Sequence, residues 1–137
     1  MELYTEIQFD KNNNCTILTF VGYISGDKYQ NAFLQLLDYM LTNSTGNCLL
    51  DWTEKGITHN DDLNWLFSTW LPTVKEKAII QNKLAVNFAI LHAKNVFADM
   101  TSQKAAKIAI EKFGFHIEYF QDKKDGLKWL STKKGTV

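Results

Sequence analysis

Two tryptophans and two polar residues form the best candidate binding site in this 137-residue sequence: Trp52, Thr53, Asp61 and Trp65. Trp52 and Thr53 directly follow a short apolar run that predicts a buried strand. Asp61 and Trp65 lie early in a predicted helix, where Trp65 falls about 100° outside the apolar stripe. A large ring on the polar side of a helix is either covered by another segment or exposed as a recognition anchor. Because ligands and partners favour the carboxyl edge of an open α/β sheet, we expect these four residues to contact one.

Metal binding and catalysis have weaker support. The three histidines are not spaced as metal ligands of one another or of a cysteine, so we expect no metal and no other cofactor. The glycines form neither a dinucleotide fingerprint nor a phosphate loop. The pair Asp61 and Asp62 could act as general acid and base, but acidic residues are common at helix N-termini because they interact favourably with the helix dipole. We therefore expect no catalytic residues. An enzyme is the remote alternative, and it would need one cleft to hold Asp51, His59, Asp61 and Asp62.

The composition excludes several classes of protein. Hydrophobic residues make up 45% of the chain and aromatic residues 13%, which excludes intrinsic disorder. Fifteen basic residues, all of them lysine, balance fifteen acidic ones, which removes the electrostatic case for a nucleic-acid partner. No apolar run approaches the ~20 residues of a membrane span, and the first residues lack the pattern of a secretory signal. We expect a cytoplasmic protein without stable membrane insertion.

Charge is distributed unevenly along the chain. Residues 1–70 contain three lysines and nine acidic residues, whereas residues 71–137 contain twelve lysines and six acidic residues. Opposite net charges in two halves of a chain favour association between copies, so a homodimer is one expected assembly.

Hydrophobic periodicity predicts strands alternating with helices after an opening hairpin. Apolar and polar residues alternate from Leu3 to Phe9, residues 10–14 are rich in turn-forming Asp and Asn, and Cys15–Val21 is rich in β-branched residues. These three segments predict two strands joined by a turn. Strands of apolar residues and amphipathic helices then follow in turn. The later predicted elements are a helix capped by Ser25, a strand at 48–50, a helix from Asn60, a strand at 84–91, a helical turn at 96–100 leading into a helix at 102–113, a strand at 115–120 and a helix opened by Asp122.

This order predicts one domain over residues 1–137, of the α/β class. Strands joined by helical crossovers form a largely parallel sheet, and the hairpin makes the first strand antiparallel. We expect about five strands and about four helices. Pro72 either kinks the second long helix or starts a separate helical segment, because proline is costly in a helix interior. The apolar stripe of that helix comprises Leu63, Leu66, Phe67, Trp70 and Val74.

Several segments together resemble the STAS/SpoIIAA-like superfamily, the fold of anti-sigma-factor antagonists, and most of all an uncharacterised branch of small bacterial proteins of Bacteroidetes type. The resemblance spans nearly the whole chain. It is carried by the opening hairpin, Gly22-Tyr23, the run Cys48-Leu49-Leu50-Asp51-Trp52, the helix Asp61–Leu71, Tyr119-Phe120-Gln121-Asp122 and Leu127-Lys128-Trp129-Leu130.

The resemblance implies a regulatory or protein-interaction module without catalysis. In the antagonist proteins a phosphorylatable serine starts the helix after the central strand, but the matching stretch here, residues 59–62, has no hydroxyl side chain. Thr53 or Thr58 could substitute only with a different geometry, and Asp61 could mimic a permanently charged state. The alternative is a lipid or apolar small-ligand protein, since related folds of the CRAL-TRIO group carry lipids and the second helix is rich in apolar side chains, namely Leu66, Phe67, Trp70 and Leu71.

Overall fold

A five-stranded mixed sheet organises the fold. This computed structural model describes residues 3–137, and Met1 and Glu2 lie outside the described residues. The strands lie side by side in the order of the chain. They are β1 (Tyr4–Asp10), β2 (Cys15–Val21), β3 (Gly46–Asp51), β4 (Val86–Leu91) and β5 (His116–Phe120).

The directions of the strands confirm the predicted α/β class. β1 pairs with β2 in antiparallel register, with Asp10 opposite Cys15, so residues 11–14 form the hairpin turn. The other three neighbouring pairs are parallel. β3 and β4 lie inside the sheet and are apolar along almost their whole length, as expected of strands covered on both faces.

Four helices cover the sheet, α1 (Asp27–Asn43), α2 (residues 60–81), α3 (Val96–Phe113) and α4 (Lys123–Ser131). Because the parallel strands follow in order and such crossovers are right-handed, α1, α2 and α3 lie on the same face. Their side chains share one hydrophobic core with that face of the sheet. α4 covers the opposite face, where Leu130 joins a smaller cluster with Leu49 and Ala89.

The predicted cap of α1 at Ser25 is wrong. α1 begins at Asp27, and Gly26 occupies the N-cap with φ 63°, a conformation that glycine adopts without steric cost. The Gly26 N–H donates to Oδ1 of Asp62 in α2 at 3.1 Å. The side chain that accepts a hydrogen bond at the start of α1 therefore comes from a residue distant in sequence. No pattern near the start of α1 predicts this contact.

α2 continues past Pro72 to residue 81, further than the sequence predicts. A four-residue α-helical segment, Leu71–Val74, contains the proline and lies between two π-helical stretches, Leu66–Trp70 and Lys75–Gln81. Proline lacks an N–H and its ring crowds the carbonyl four residues earlier, so a widened turn before it relieves the clash. Pro72 thus starts a new segment without interrupting the helix.

α3 buries mostly small side chains. It runs without a break from Val96, and Asn95 caps it by accepting the Ala98 N–H at 3.0 Å. Its buried residues are Ala98, Ala106 and Ala109. Alanine removes little apolar area from water, so α3 is held to the core by less hydrophobic free energy than its length would allow.

Candidate functional site

An apolar cavity of about 60 Å³ lies between the sheet and the three helices on its main face. Leu50 of β3 and Ile90 of β4 contribute its floor. The helices supply aromatic and aliphatic walls on two sides and small side chains on the third. The wall residues used below are Tyr29 and Phe33 of α1, Leu66 and Trp70 of α2, and Ala105 and Ala109 of α3.

Trp70 fixes α2 against α1 at this cavity. The indole is 1% exposed, and its Nε1–H donates to the backbone carbonyl of Phe33 at 2.6 Å. Its ring also packs edge-on against the ring of Phe33, with centroids 4.9 Å apart. A buried indole of this kind combines a large apolar area with one satisfied polar group, so this wall is well defined.

Lys55 places an amine beside the apolar walls. The residue is 8% exposed, although lysine is almost never buried without a partner. Its Nζ donates to Thr58 Oγ1 and to the Gly56 carbonyl, and lies 5.8 Å from the centre of the Trp52 ring. Thr58 and Trp52 both line the cavity, as does Lys55 itself. Burial lowers the pKa of Lys55 from 10.5 to about 8, and the negative charge of Asp62 opposes this lowering.

Asp62 supplies a buried carboxylate on the same side of the domain. It is 3% exposed, and the start of α1 stabilises its charge through the Gly26 N–H. Burial and the charge of Asp62 together raise the pKa of Tyr29, whose side chain lines the cavity. The cavity is therefore apolar in its walls, with charged groups confined to the region of Lys55.

Backbone hydrogen bonds hold the loop that carries Lys55. The Gly22 N–H donates to the Glu54 carbonyl and the Gly56 N–H donates to the Gly22 carbonyl, both at 2.8 Å. The Lys94 N–H donates to the Thr53 carbonyl at 3.0 Å. A Cβ atom at Gly56 would lie 3.0 Å from the backbone of Gly22, so only glycine allows this approach without a shift.

The four residues selected from the sequence differ in exposure. Trp52 is 5% exposed and belongs to the cavity wall. Thr53 and Trp65 are half-buried, and the ring of Trp65 meets that of Tyr29 edge-on with centroids 6.3 Å apart. Asp61 is exposed. The structure thus brings Trp52 into the cavity and leaves Asp61 at the surface.

The groups of the remote enzyme alternative face different surroundings. Asp62 is buried against α1, whereas Asp61 and His59 are exposed, and His59 Nδ1 accepts the Asp61 N–H at the start of α2. Asp51 is half-buried and accepts the N–H of Thr53 at 3.1 Å. Within residues 3–137, no three His, Cys, Asp or Glu side chains are grouped so that they could hold a metal ion.

A second polar cluster lies at the carboxyl ends of β4 and β5. His92 Nδ1 lies 3.0 Å from Oδ2 of Asp99, and Asp99 also accepts the Ala93 N–H. The ring of His92 lies 5.1 Å from that of Tyr119, whose hydroxyl bonds to Ser102 Oγ at 2.6 Å. Burial raises the pKa of Tyr119 to about 12. The carboxylate fixes the orientation of the imidazole.

Sequence reasoning missed both Lys55 and the pair of His92 with Asp99. One lysine in a loop has no local feature that separates it from a solvated one, because its burial comes from distant segments. The position of His92 is a weak indication of a functional residue, because it directly follows a predicted buried strand at the edge where sites of open α/β sheets lie. Among residues 3–137, no helix is both long enough and apolar enough to span a membrane.

Comparison with known proteins identifies the fold. No family model matches this chain, and no curated protein matches it. A solved structure that is similar to it is that of an uncharacterised protein of the DUF3478 family with a SpoIIAA-like fold from Shewanella loihica PV-4. The two chains are 18% identical and superpose with a TM-score of 0.59 over 93% of each chain. The resemblance seen in the sequence is therefore confirmed at the level of the fold, and this chain has a SpoIIAA-like fold.

Proposed function

We propose that the protein is a non-enzymatic binding module that holds a small apolar molecule in the cavity between the sheet and α1, α2 and α3. The observation that carries the proposal is an apolar cavity walled by aromatic side chains of two helices. Concave, mostly apolar sites with a few polar groups are the usual form of small-molecule sites.

The volume of the cavity sets the kind of molecule. At ~15 Å³ for each water-sized group, 60 Å³ accommodates roughly four such groups. An engineered cavity that binds benzene has a volume of ~150 Å³. The cavity is smaller than that, so its ligand should be small, such as a short aliphatic chain.

The alanine face of α3 makes this wall adaptable. Ala105 and Ala109 line the cavity, and α3 contributes little buried apolar area to the core. Segments with few buried apolar contacts open at lower free energy than the rest of a domain. We expect α3 to move outward for ligands longer than the cavity.

Titration with 1-pentanol tests the proposal. Trp52 and Trp70 line the cavity, so binding should change tryptophan fluorescence and shift the amide signals of α3 in ¹⁵N-resolved NMR spectra. The variant Ala105→Leu should fill the cavity and abolish these changes, whereas Gln103→Leu on the exposed side of α3 should leave them intact. Changes of equal size in both variants, or none in the wild type, would contradict the proposal.

A regulatory protein partner is the second candidate, and the exposure of Asp61 and the half-exposed ring of Trp65 favour it. In this proposal Trp52 and Thr53 support the contact surface, Asp61 supplies a permanent charge, and no phosphorylated serine is needed. Trp65→Ala should reduce recovery of a partner in affinity purification, whereas Ser68→Ala on the same helix should not. Unchanged recovery with Trp65→Ala would refute this candidate.

A second copy of the chain is included among the candidate partners. The opposite charges of residues 1–70 and 71–137 support this assembly. Sedimentation velocity at low and high salt tests it: a dimer that dissociates as salt rises supports the homodimer, and a monomer at low salt contradicts it.

A further inference from the structure

The amine of Lys55 has no ionic partner in the part of the chain that the structure describes. Among residues 3–137, the ion pairs join His59 to Asp61, His92 to Asp99 and Lys94 to Glu54, and Lys55 takes part in none of them. We propose that Lys55 binds the carboxylate of a short aliphatic monocarboxylic acid whose tail occupies the apolar cavity. This inference rests on the proposed small-molecule function and adds the chemical class of the ligand.

Three residues locate the amine next to the space for the ligand. Lys55 Nζ donates to Thr58 Oγ1 and lies 5.8 Å from the centre of the Trp52 ring. Lys55, Thr58 and Trp52 all line the cavity. A ligand whose tail lies between α1 and α3 would therefore have the side chain of Lys55 in the wall of the same cavity.

The ammonium group has one hydrogen-bond donor to spare. A lysine ammonium carries three donors. Two are directed to Thr58 Oγ1 and to the carbonyl of Gly56. Both acceptors are neutral, so these two bonds offset only part of the cost of burying the charge, whereas a carboxylate would form a charge-assisted hydrogen bond with the third donor.

The charged and titratable groups around Lys55 are compatible with an acidic ligand. Asp62 of α2 faces it, but the Gly26 N–H and the start of α1 already stabilise that carboxylate. From α1, Tyr29 presents a phenol that stays neutral because its pKa is raised. From α3, Thr101 and Ser102 line the cavity with neutral hydroxyl groups. Burial lowers the pKa of Lys55 although the charge of Asp62 opposes the shift, so the buried cation is only partly compensated within the described residues.

A purely structural role for Lys55 predicts a different outcome. In that case the amine only ties the loop together through Thr58 and Gly56, and an acidic ligand gains nothing over a neutral one. Pentanoate and 1-pentanol separate the two roles, because they share a four-carbon tail and differ in the charge of the head.

The experiment measures the affinities of pentanoate and 1-pentanol for the wild type and for Lys55→Met by NMR titration near pH 7. A charge-assisted hydrogen bond in a buried site predicts that pentanoate binds the wild type about tenfold more tightly than 1-pentanol. Lys55→Met should lose this preference and retain its affinity for 1-pentanol. The exposed-site variant Lys107→Met should behave as the wild type.

Equal affinities of the wild type for the two compounds would overturn the carboxylate proposal and leave the proposed cavity function standing. Binding of neither compound would overturn both. If Lys55→Met does not fold, the wild type alone decides the question: its preference for pentanoate should decline as pH rises from about 7 to about 10, because Lys55, with a pKa of about 8, loses its charge over this range. A preference that is constant over this range would also overturn the proposal.

Discussion

The buried charge of Lys55 should make the stability of the protein depend on pH in a characteristic way. Lowering the pKa from 10.5 to about 8 corresponds to about 3 kcal/mol, at about 1.4 kcal/mol for each pH unit. Below pH 8 the amine is charged in both the folded and the unfolded chain, so the folded state bears the whole cost of burial. Between pH 8 and 10.5 the unfolded chain retains a proton that the folded chain has lost, and stability therefore rises with pH.

The variant Lys55→Met isolates this contribution. Other groups titrate in the same range with the opposite sign: burial raises the pKa of Cys15 to about 11 and that of Tyr119 to about 12, and both contributions to stability decline as pH rises. Subtracting the free energy of unfolding of Lys55→Met from that of the wild type removes these shared contributions. Removing the amine also leaves Thr58 Oγ1 without its donor, at a cost of about 1–3 kcal/mol that does not depend on pH.

Urea unfolding followed by tryptophan fluorescence provides the measurement. The difference in unfolding free energy, wild type minus Lys55→Met, should rise by about 3 kcal/mol between about pH 7 and about pH 10.5. The control Lys107→Met removes an exposed lysine, and its difference from the wild type should change by less than about 0.5 kcal/mol. A flat difference for Lys55→Met would refute the conclusion that this amine is buried as a cation.

Three further substitutions test the packing that defines the site. Trp70→Phe should destabilise the domain by about 1–3 kcal/mol in urea unfolding, because the indole hydrogen bond to the Phe33 carbonyl and part of the buried ring area are lost; a loss below about 0.5 kcal/mol would contradict this. Gly56→Ala should also destabilise the domain, because the added Cβ lies 3.0 Å from the backbone of Gly22. Unchanged hydrogen exchange in the loop that contains residue 56 would argue against this close approach. Asp122→Ala should lower the free energy of unfolding by about 1 kcal/mol in the same assay, because α4 loses its N-cap. Asp122→Asn should retain most of this free energy, and equal losses in both variants would exclude a capping role.

The fold could be predicted from the sequence because its signals are local and periodic. Alternation in β1, the apolar runs of β3 and β4, and the 3.6-residue spacing of α1 each identify one element, and their order fixes the class of sheet. The N-cap of α4 was also predicted correctly, because Asp122 accepts the N–H of a residue only three positions later, Asp125.

The errors occur where the structure depends on contacts between distant segments. The sequence predicts Ser25 as the cap of α1, but Gly26 occupies the N-cap and the side chain that accepts its N–H comes from Asp62. Helix α2 passes through Pro72 because the π-helical turn before it relieves the clash, and no residue type marks such a turn in advance.

The candidate site was predictable only in part for the same reason. Trp52 could be selected because it follows a buried strand at the carboxyl edge of the sheet, and it lines the cavity. Lys55 is three residues further on, and the loop that carries it is held by hydrogen bonds to the distant residues Gly22 and Lys94, which its neighbours in sequence do not indicate. The alanines of α3 have small side chains and therefore leave space for the cavity. Hydrophobic periodicity cannot distinguish such a helix face from one that packs without a gap.

The position of a bound acid within the domain tests the central claim most directly. Intermolecular NOEs can be measured between ¹³C-labelled pentanoate and the protein. We predict NOEs from the terminal methyl group to the methyl groups of Ala105 and Ala109, and from the methylene group next to the carboxylate to the side chain of Lys55. NOEs confined to exposed residues, or an inverted arrangement with the terminal methyl group at Lys55, would contradict the account.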